Sequence, residues 1–217
     1  MPQLLWGVLI ISFAPILIHI APLSADEIAV YRMALGGLFF FIFGVFYRRL
    51  HPNTTPEDLL NRREKALAAL GGFAFAVDLM CWHRSIHYIG PGLATLVVST
   101  QVLMVGGASF FLPGPNPRKP FWLSSALCLS GLCLLAGGSK QVNIVWGISL
   151  SAMAAVGYTV YLLTLKQIAQ PTMNKTLQVM QWVSTSAALW VGSYMGWDLW
   201  QRQVAFAFPQ QGSTWLI

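Results

Sequence analysis

Asp78 stands at the centre of an apolar stretch, Lys65–Tyr88, where a carboxylate needs a reason to be. Inside lipid it costs roughly 2.5–3.5 kcal/mol on insertion scales, so such a group is by default a functional candidate. It can bind a cationic group of a ligand or exchange a proton; a structural ion pair is the competing reading. Trp82 follows four residues later and shares its helix face. An aromatic wall beside a carboxylate suits an organic ligand, against the plainer reading of a lipid-facing or interfacial Trp. Gln101 is central to a second apolar stretch, Pro91–Leu112, at the depth of Asp78. Its amide requires partners on another helix or on a ligand.

Arg32 lies five residues from the middle of Glu27–Tyr47, roughly 7–8 Å from the mid-depth at 1.5 Å per residue. Its guanidinium can reach inward to Asp78, snorkel outward, or clamp a carboxylate. Tyr158 and Ser151 share a face at i, i+7. Ser12 and Pro15 fall in the first apolar stretch. These are weaker candidates, and helix packing is the better account of Ser151. His83 and His87 have i, i+4 spacing, but no carboxylate or Cys completes a metal site. They are expected to be interfacial, like His19, and no metal or cofactor is expected.

The elements that must hold these residues are membrane spans. The 217 residues are 56% hydrophobic and 9% charged, with a mean hydropathy of +0.61, whereas soluble domains are about a quarter charged. Seven segments approach the roughly 20 apolar residues a bilayer requires: Leu4–Ala21, Glu27–Tyr47, Lys65–Tyr88, Pro91–Leu112, Phe121–Gly138, Asn143–Lys166 and Thr176–Trp197. The expected fold is all-α, a polytopic membrane helical bundle with about seven complete transmembrane helices. Met1–Ala21 lacks a positive n-region and more spans follow, so it reads as a span rather than a signal peptide.

The net charge of +6 does not point to nucleic acid, because the basic residues fall in loops between apolar runs. Nine of them lie in loops on one side, against Arg84, Lys140 and Arg202 on the other. That bias predicts a cytoplasmic N-terminus in the plasma (bacterial inner) membrane. The sequons at Asn53 and Asn174 fall on the same cytoplasmic side and are discounted. Cys81, Cys128 and Cys133 lie in apolar segments and read as packing residues, not as a disulfide framework. Glycine pairs at 36–37, 106–107 and 137–138 permit close helix approach. The sequence carries no Gly-x-Ser-x-Gly, Walker or His-Glu-x-x-His motif, and the chain is expected not to be an enzyme.

Trp6-Gly7 opens the first span and Trp146-Gly147 the sixth, an offset of 140 residues. A five-span unit is odd, so its second copy enters from the other side, as in inverted-repeat transporters. Residues 1–138 then form a first repeat and 139–217 an incomplete second one, with Ile217 opposite Val77. On this expectation the sequence stops inside an eighth span.

Trp6-Gly7 with Pro15, Tyr31-Arg32, the run Ser85-Ile86-His87-Tyr88-Ile89-Gly90-Pro91-Gly92-Leu93-Ala94-Thr95-Leu96, and Asp78-x-x-x-Trp82-His83 together resemble the drug/metabolite transporter superfamily, in its EamA-type ten-helix branch. The resemblance runs through the whole chain. It implies five-plus-five inverted repeats, cytoplasmic termini, and a central cavity lined by spans one, three, four and their repeat partners. Gln101 stands where members commonly carry a proline, and Leu112-Pro113-Gly114 replaces a common Gly-Glu, so no proline-hinge or glutamate role is carried over. The expected function is alternating-access transport of a small organic metabolite, an amino acid or related amphipathic compound, by efflux. A non-transporting membrane protein, either an intramembrane enzyme or an assembly subunit, is the rival. The expected partners are the lipid bilayer and a small-molecule substrate, with a homodimer left open and no nucleic acid.

Overall fold

In the computed structural model, the described residues are 9, 13, 16, 23–51, 59–108, 110–111, 117–136, 143–168 and 172–202. Among them every regular element is helical: α1 Ala25–Leu50, α2 Arg62–Ser99, α3 Gln101–Ala108, α4 Lys119–Ala136, α5 Ile144–Gln167 and α6 Met173–Arg202. The protein is an all-α polytopic membrane bundle. The expected span Leu4–Ala21, with Ser12, Pro15 and His19, lies almost wholly outside the described residues, as do Asn53 and Lys140.

Three helical stretches, Asp26–Leu50, Arg62–Ala108 and Ile144–Gln167, are long and apolar enough to cross a membrane. Their starts are locally encoded. Before α1 the Ser24 amide donates to Glu27 Oε2 at 2.7 Å, and the Glu27 amide donates to Ser24 Oγ at 3.2 Å. Asn61 and Glu64 form the same reciprocal cap before α2, at 2.9 and 2.8 Å. Each pair satisfies two backbone donors that the first turn leaves orphaned. Asp26 and Glu27 in the first turn of α1, and Arg48 and Arg49 in its last, complement the helix dipole.

The outer surface is apolar. Leu35, Leu38, Phe39, Ile42 and Phe46 make an exposed stripe along α1, the reverse of a soluble helix and the pattern lipid requires. The buried face of the same helix carries Ile28, Ala29, Met33 and Gly37. Because lipid is as apolar as a leucine, helices here associate by close packing and interhelical hydrogen bonds. A Cβ built on Gly72 would stand 2.6 Å from the Val183 carbonyl and from Ser186 Cβ. One turn away, Ser186 Oγ donates to the Ala69 carbonyl at 2.9 Å. Of the glycine pairs read from sequence, Gly36 and Gly37 face Ser184 and Thr185 of α6, and Gly106 faces Phe121. Cys81 is buried as expected, whereas Cys128 and Cys133 are exposed on α4.

Contacts fix helix direction. Asp26 meets Arg84 and Arg32 meets His83, so α1 runs antiparallel to α2. Gly147 abuts Ile89 while Gly157 abuts Ala74 and Asp78, so α5 is also antiparallel to α2. Lys175 meets Glu64, Ser186 meets Ala69 and Trp190 meets Phe73, so α6 is parallel to α2 and opposed to α1. The chain between α2 and α5 must therefore make an even number of passes. One is α4, 18 residues or about 27 Å long. The other is the segment after Gly90, which breaks α2 with φ 76° and ψ 163° and is followed by Pro91. A positive φ suits glycine, and proline supplies a helix start. The expected end of one span at Tyr88 and start of the next at Pro91 thus bracket the break.

Candidate functional site

α2 carries the central charge. Asp78 is 4% exposed, and its Oδ1 has no hydrogen-bond partner. The ion pairs among the described residues are Arg84–Asp26 and Lys175–Glu64, and Asp78 belongs to neither. Phe75 and Trp82 sit three residues before and four after it, on its own face. Across the interface, α5 comes unusually close: a Cβ on Gly157 would lie 2.8 Å from the Ala74 carbonyl and 3.1 Å from the Asp78 amide. This closeness brings the next residue, Tyr158, and Tyr161 into reach. The Phe75 ring is 6.1 Å from Tyr158 and 4.8 Å from Tyr161, stacked on the latter. Both tyrosines and Arg32 lie within electrostatic range of Asp78.

Arg32 settles the question of its partner differently from any single sequence expectation. Its Nη1 lies 3.1 Å from His83 Nε2, so that nitrogen accepts and carries no proton in this contact. Arg32 therefore feels Asp78 without pairing with it. His83 is 0% exposed, a burial the sequence did not announce, while His87 is exposed. Burial follows from its place on the α2 face that α1 covers.

Trp82 does not face lipid. It packs against two buried clusters, one containing Met33, Leu79 and Val191, the other Ile28, Ile86 and Ile89. Its Nε1 is buried without a partner. Gln101 opens α3 just after an interruption at Thr100, whose hydroxyl donates to Val97 O at 2.7 Å. Thr100 itself keeps helical φ and ψ (−61°, −17°), so the chain runs on into α3 without a kink of the kind seen at Gly90. Gln101 Oε1, Thr95 Oγ1 and Ser151 Oγ are also buried and unpartnered, and α3 packs on α5, which carries Ser151 and Tyr158. Ser151, between Gly147 and Gly157, lies along the stretch of α5 that covers α2 between Ile89 and Asp78.

The structure thus draws Asp78, Tyr158 and, at electrostatic range, Arg32 around the α2–α5 contact; Trp82 follows Asp78 on α2 but packs toward α1 and α6, Gln101 belongs to the neighbouring helix, and Ser12 lies outside the described residues. Sequence reasoning missed Phe75, Tyr161, Thr95 and the burial of His83. The signal for the first two was present: Phe75 is one turn before Asp78, and Tyr161 one turn after Tyr158. No group of three or more metal-ligating side chains occurs among the described residues.

The chain is 30% identical over 88 residues to proteins of Salmonella heidelberg and Salmonella agona named "Probable 4-amino-4-deoxy-L-arabinose-phosphoundecaprenol flippase subunit ArnF". That similarity covers 40% of this chain and 67% of each relative. No solved structure matches. The EamA-like transporter family matches residues 3–137, which include α1 to α4. On that match, and with helices that cross the membrane, the chain belongs to the EamA-like transporter family and is a multi-pass membrane transport protein.

Proposed function

We propose that the protein exports a small organic metabolite, an amino acid or related amphipathic compound, by alternating access around the α2–α5 contact. The observation that carries this reading is Asp78: a buried carboxylate at mid-span, flanked by aromatic rings and held in no ion pair. A purely structural carboxylate in lipid is expected to be paired. The antiparallel run of α1 and α6 supports the inverted repeat of 1–138 and 139–217, since these helices correspond at the 140-residue offset. Two further contacts support the grouping of loops behind a cytoplasmic N-terminus. Lys175 pairs with Glu64 beside Arg62, Arg63 and Lys65, and Asp26 pairs with Arg84 at the other end.

Solute counterflow in liposomes tests the function. Wild-type protein is expected to exchange at least one member of a metabolite panel, and folded Asp78→Asn protein to exchange none. Wild-type exchange by Asp78→Asn would remove Asp78 from the site. A second reading, membership in a larger transport assembly, is favoured by the name of the relatives, which calls each of them a subunit. It predicts that the chain alone stays silent in counterflow and gains activity when a second membrane protein is co-reconstituted.

A further inference from the structure

We infer that the group recognised at the α2–α5 contact is a protonated amine whose organic body lies against the aromatic rings beside Asp78. The inference rests on the transport reading above and names the substrate class for that same site. On α2 itself the buried, unpartnered polar atoms at this level are Asp78 Oδ1, which accepts, and the Trp82 Nε1–H donor one turn on. A buried carboxylate oxygen with no partner calls for a donor, and an ammonium brings three donors and no acceptor. The one cationic side chain within electrostatic range of Asp78 that reaches the site from α1 is Arg32, and its Nη1 is engaged with His83. That bond to a neutral imidazole leaves the guanidinium charged, so what disfavours an anionic ligand here is the buried, unpaired Asp78 carboxylate.

The rings decide between an amine and a bare proton. Phe75 and Trp82 stand on the face of Asp78, and Tyr158 and Tyr161 close on Phe75 from α5. A proton relay needs no aromatic wall. A cation is drawn to ring faces, most strongly when desolvated, and an apolar body gains dispersion against them.

Two probes of similar body separate the possibilities by charge: 2-phenylethylamine and 3-phenylpropionate. Radiolabelled 2-phenylethylamine is expected to bind the wild-type chain saturably in lipid nanodiscs. Excess 3-phenylpropionate should fail to displace it. Asp78→Asn is expected to weaken binding by about tenfold or more, and Asp78→Glu, which keeps the charge, by only a few-fold. Equal competition by 3-phenylpropionate, unchanged binding to Asp78→Asn, or no amine binding by folded wild-type protein would each overturn the inference. Should Asp78→Asn fail to fold, the competition pattern on wild-type protein decides alone. Counterflow keeps the two claims apart: amine binding without any exchange sinks transport and leaves amine recognition standing. Exchange of other solutes without amine binding does the reverse.

Discussion

α2 holds carboxylates or cations at three levels, and its ends treat charge differently from its middle. Near its start Glu64 meets Lys175 at 2.7 Å, with 12% and 9% of the side chains exposed. Six residues beyond Asp78, Arg84 meets Asp26 at 2.6 Å and lies 5.0 Å from the Tyr194 ring centre. Both end pairs tie α2 to a neighbouring helix with short, charge-assisted bonds. Asp78, more buried than any of them, has none. Since burial raises the cost of an unpaired charge, stability alone would have paired the middle first. The ends are built for holding helices together, and the middle is left with an unmet requirement that a ligand can satisfy.

The contrast breaks or sharpens under mutation. The largest expected effect is on activity: Asp78→Asn keeps its shape, stays folded by size-exclusion chromatography, and loses counterflow exchange entirely. If it instead loses folded protein while Asp78 proves paired in an experimental structure, the middle is like the ends. Next is Gly157→Val, which forces side-chain atoms into the Ala74 carbonyl and the Asp78 amide. Overpacking against backbone should cost about 3 kcal/mol, at the upper end of such changes, visible as a lowered detergent unfolding temperature. Lys175→Met leaves Glu64 without its partner and should cost roughly 1–3 kcal/mol, between the figures for exposed and buried pairs. Adding Glu64→Gln should restore part of it; a double variant no more stable than the single one would argue against the pair. The smallest effect belongs to Arg84→Gln, whose side chain is 33% exposed, at about 1 kcal/mol or less.

The sequence made the spans legible because lipid imposes a length and a composition that few other settings share. It also made the ends of Lys65–Tyr88 legible, through Gly90-Pro91. The structure extends several helices beyond bilayer length: α1 begins at its Ser24 cap and α6 runs to Arg202. Hydropathy cannot see such extensions, since caps and charged last turns are polar. At the site, Asp78 announces itself by being charged, and Trp82 by its spacing. Tyr161 and Phe75 do not, because an aromatic residue is unremarkable among thirteen Phe and six Tyr. What singles them out is the approach of α5, permitted by Gly157, and an interhelical contact has no local signature. Arg32 taught the same lesson. Its three sequence readings all omitted His83, which lies 51 residues away.

The reversal at Gly90 and Pro91 bears on how the protein is made. Residues 62–108 cross twice with no polar loop between the passes, only a glycine in a left-handed conformation and a proline. A ribosome delivering this stretch gives the insertion machinery no hydrophilic segment at which to pause between one helix and the next. The first pass also arrives with Asp78 exposed to whatever surrounds it, a burden on solitary insertion. The two helices should therefore leave the translocon as a hairpin, with the site's carboxylate sheltered from the moment it meets lipid.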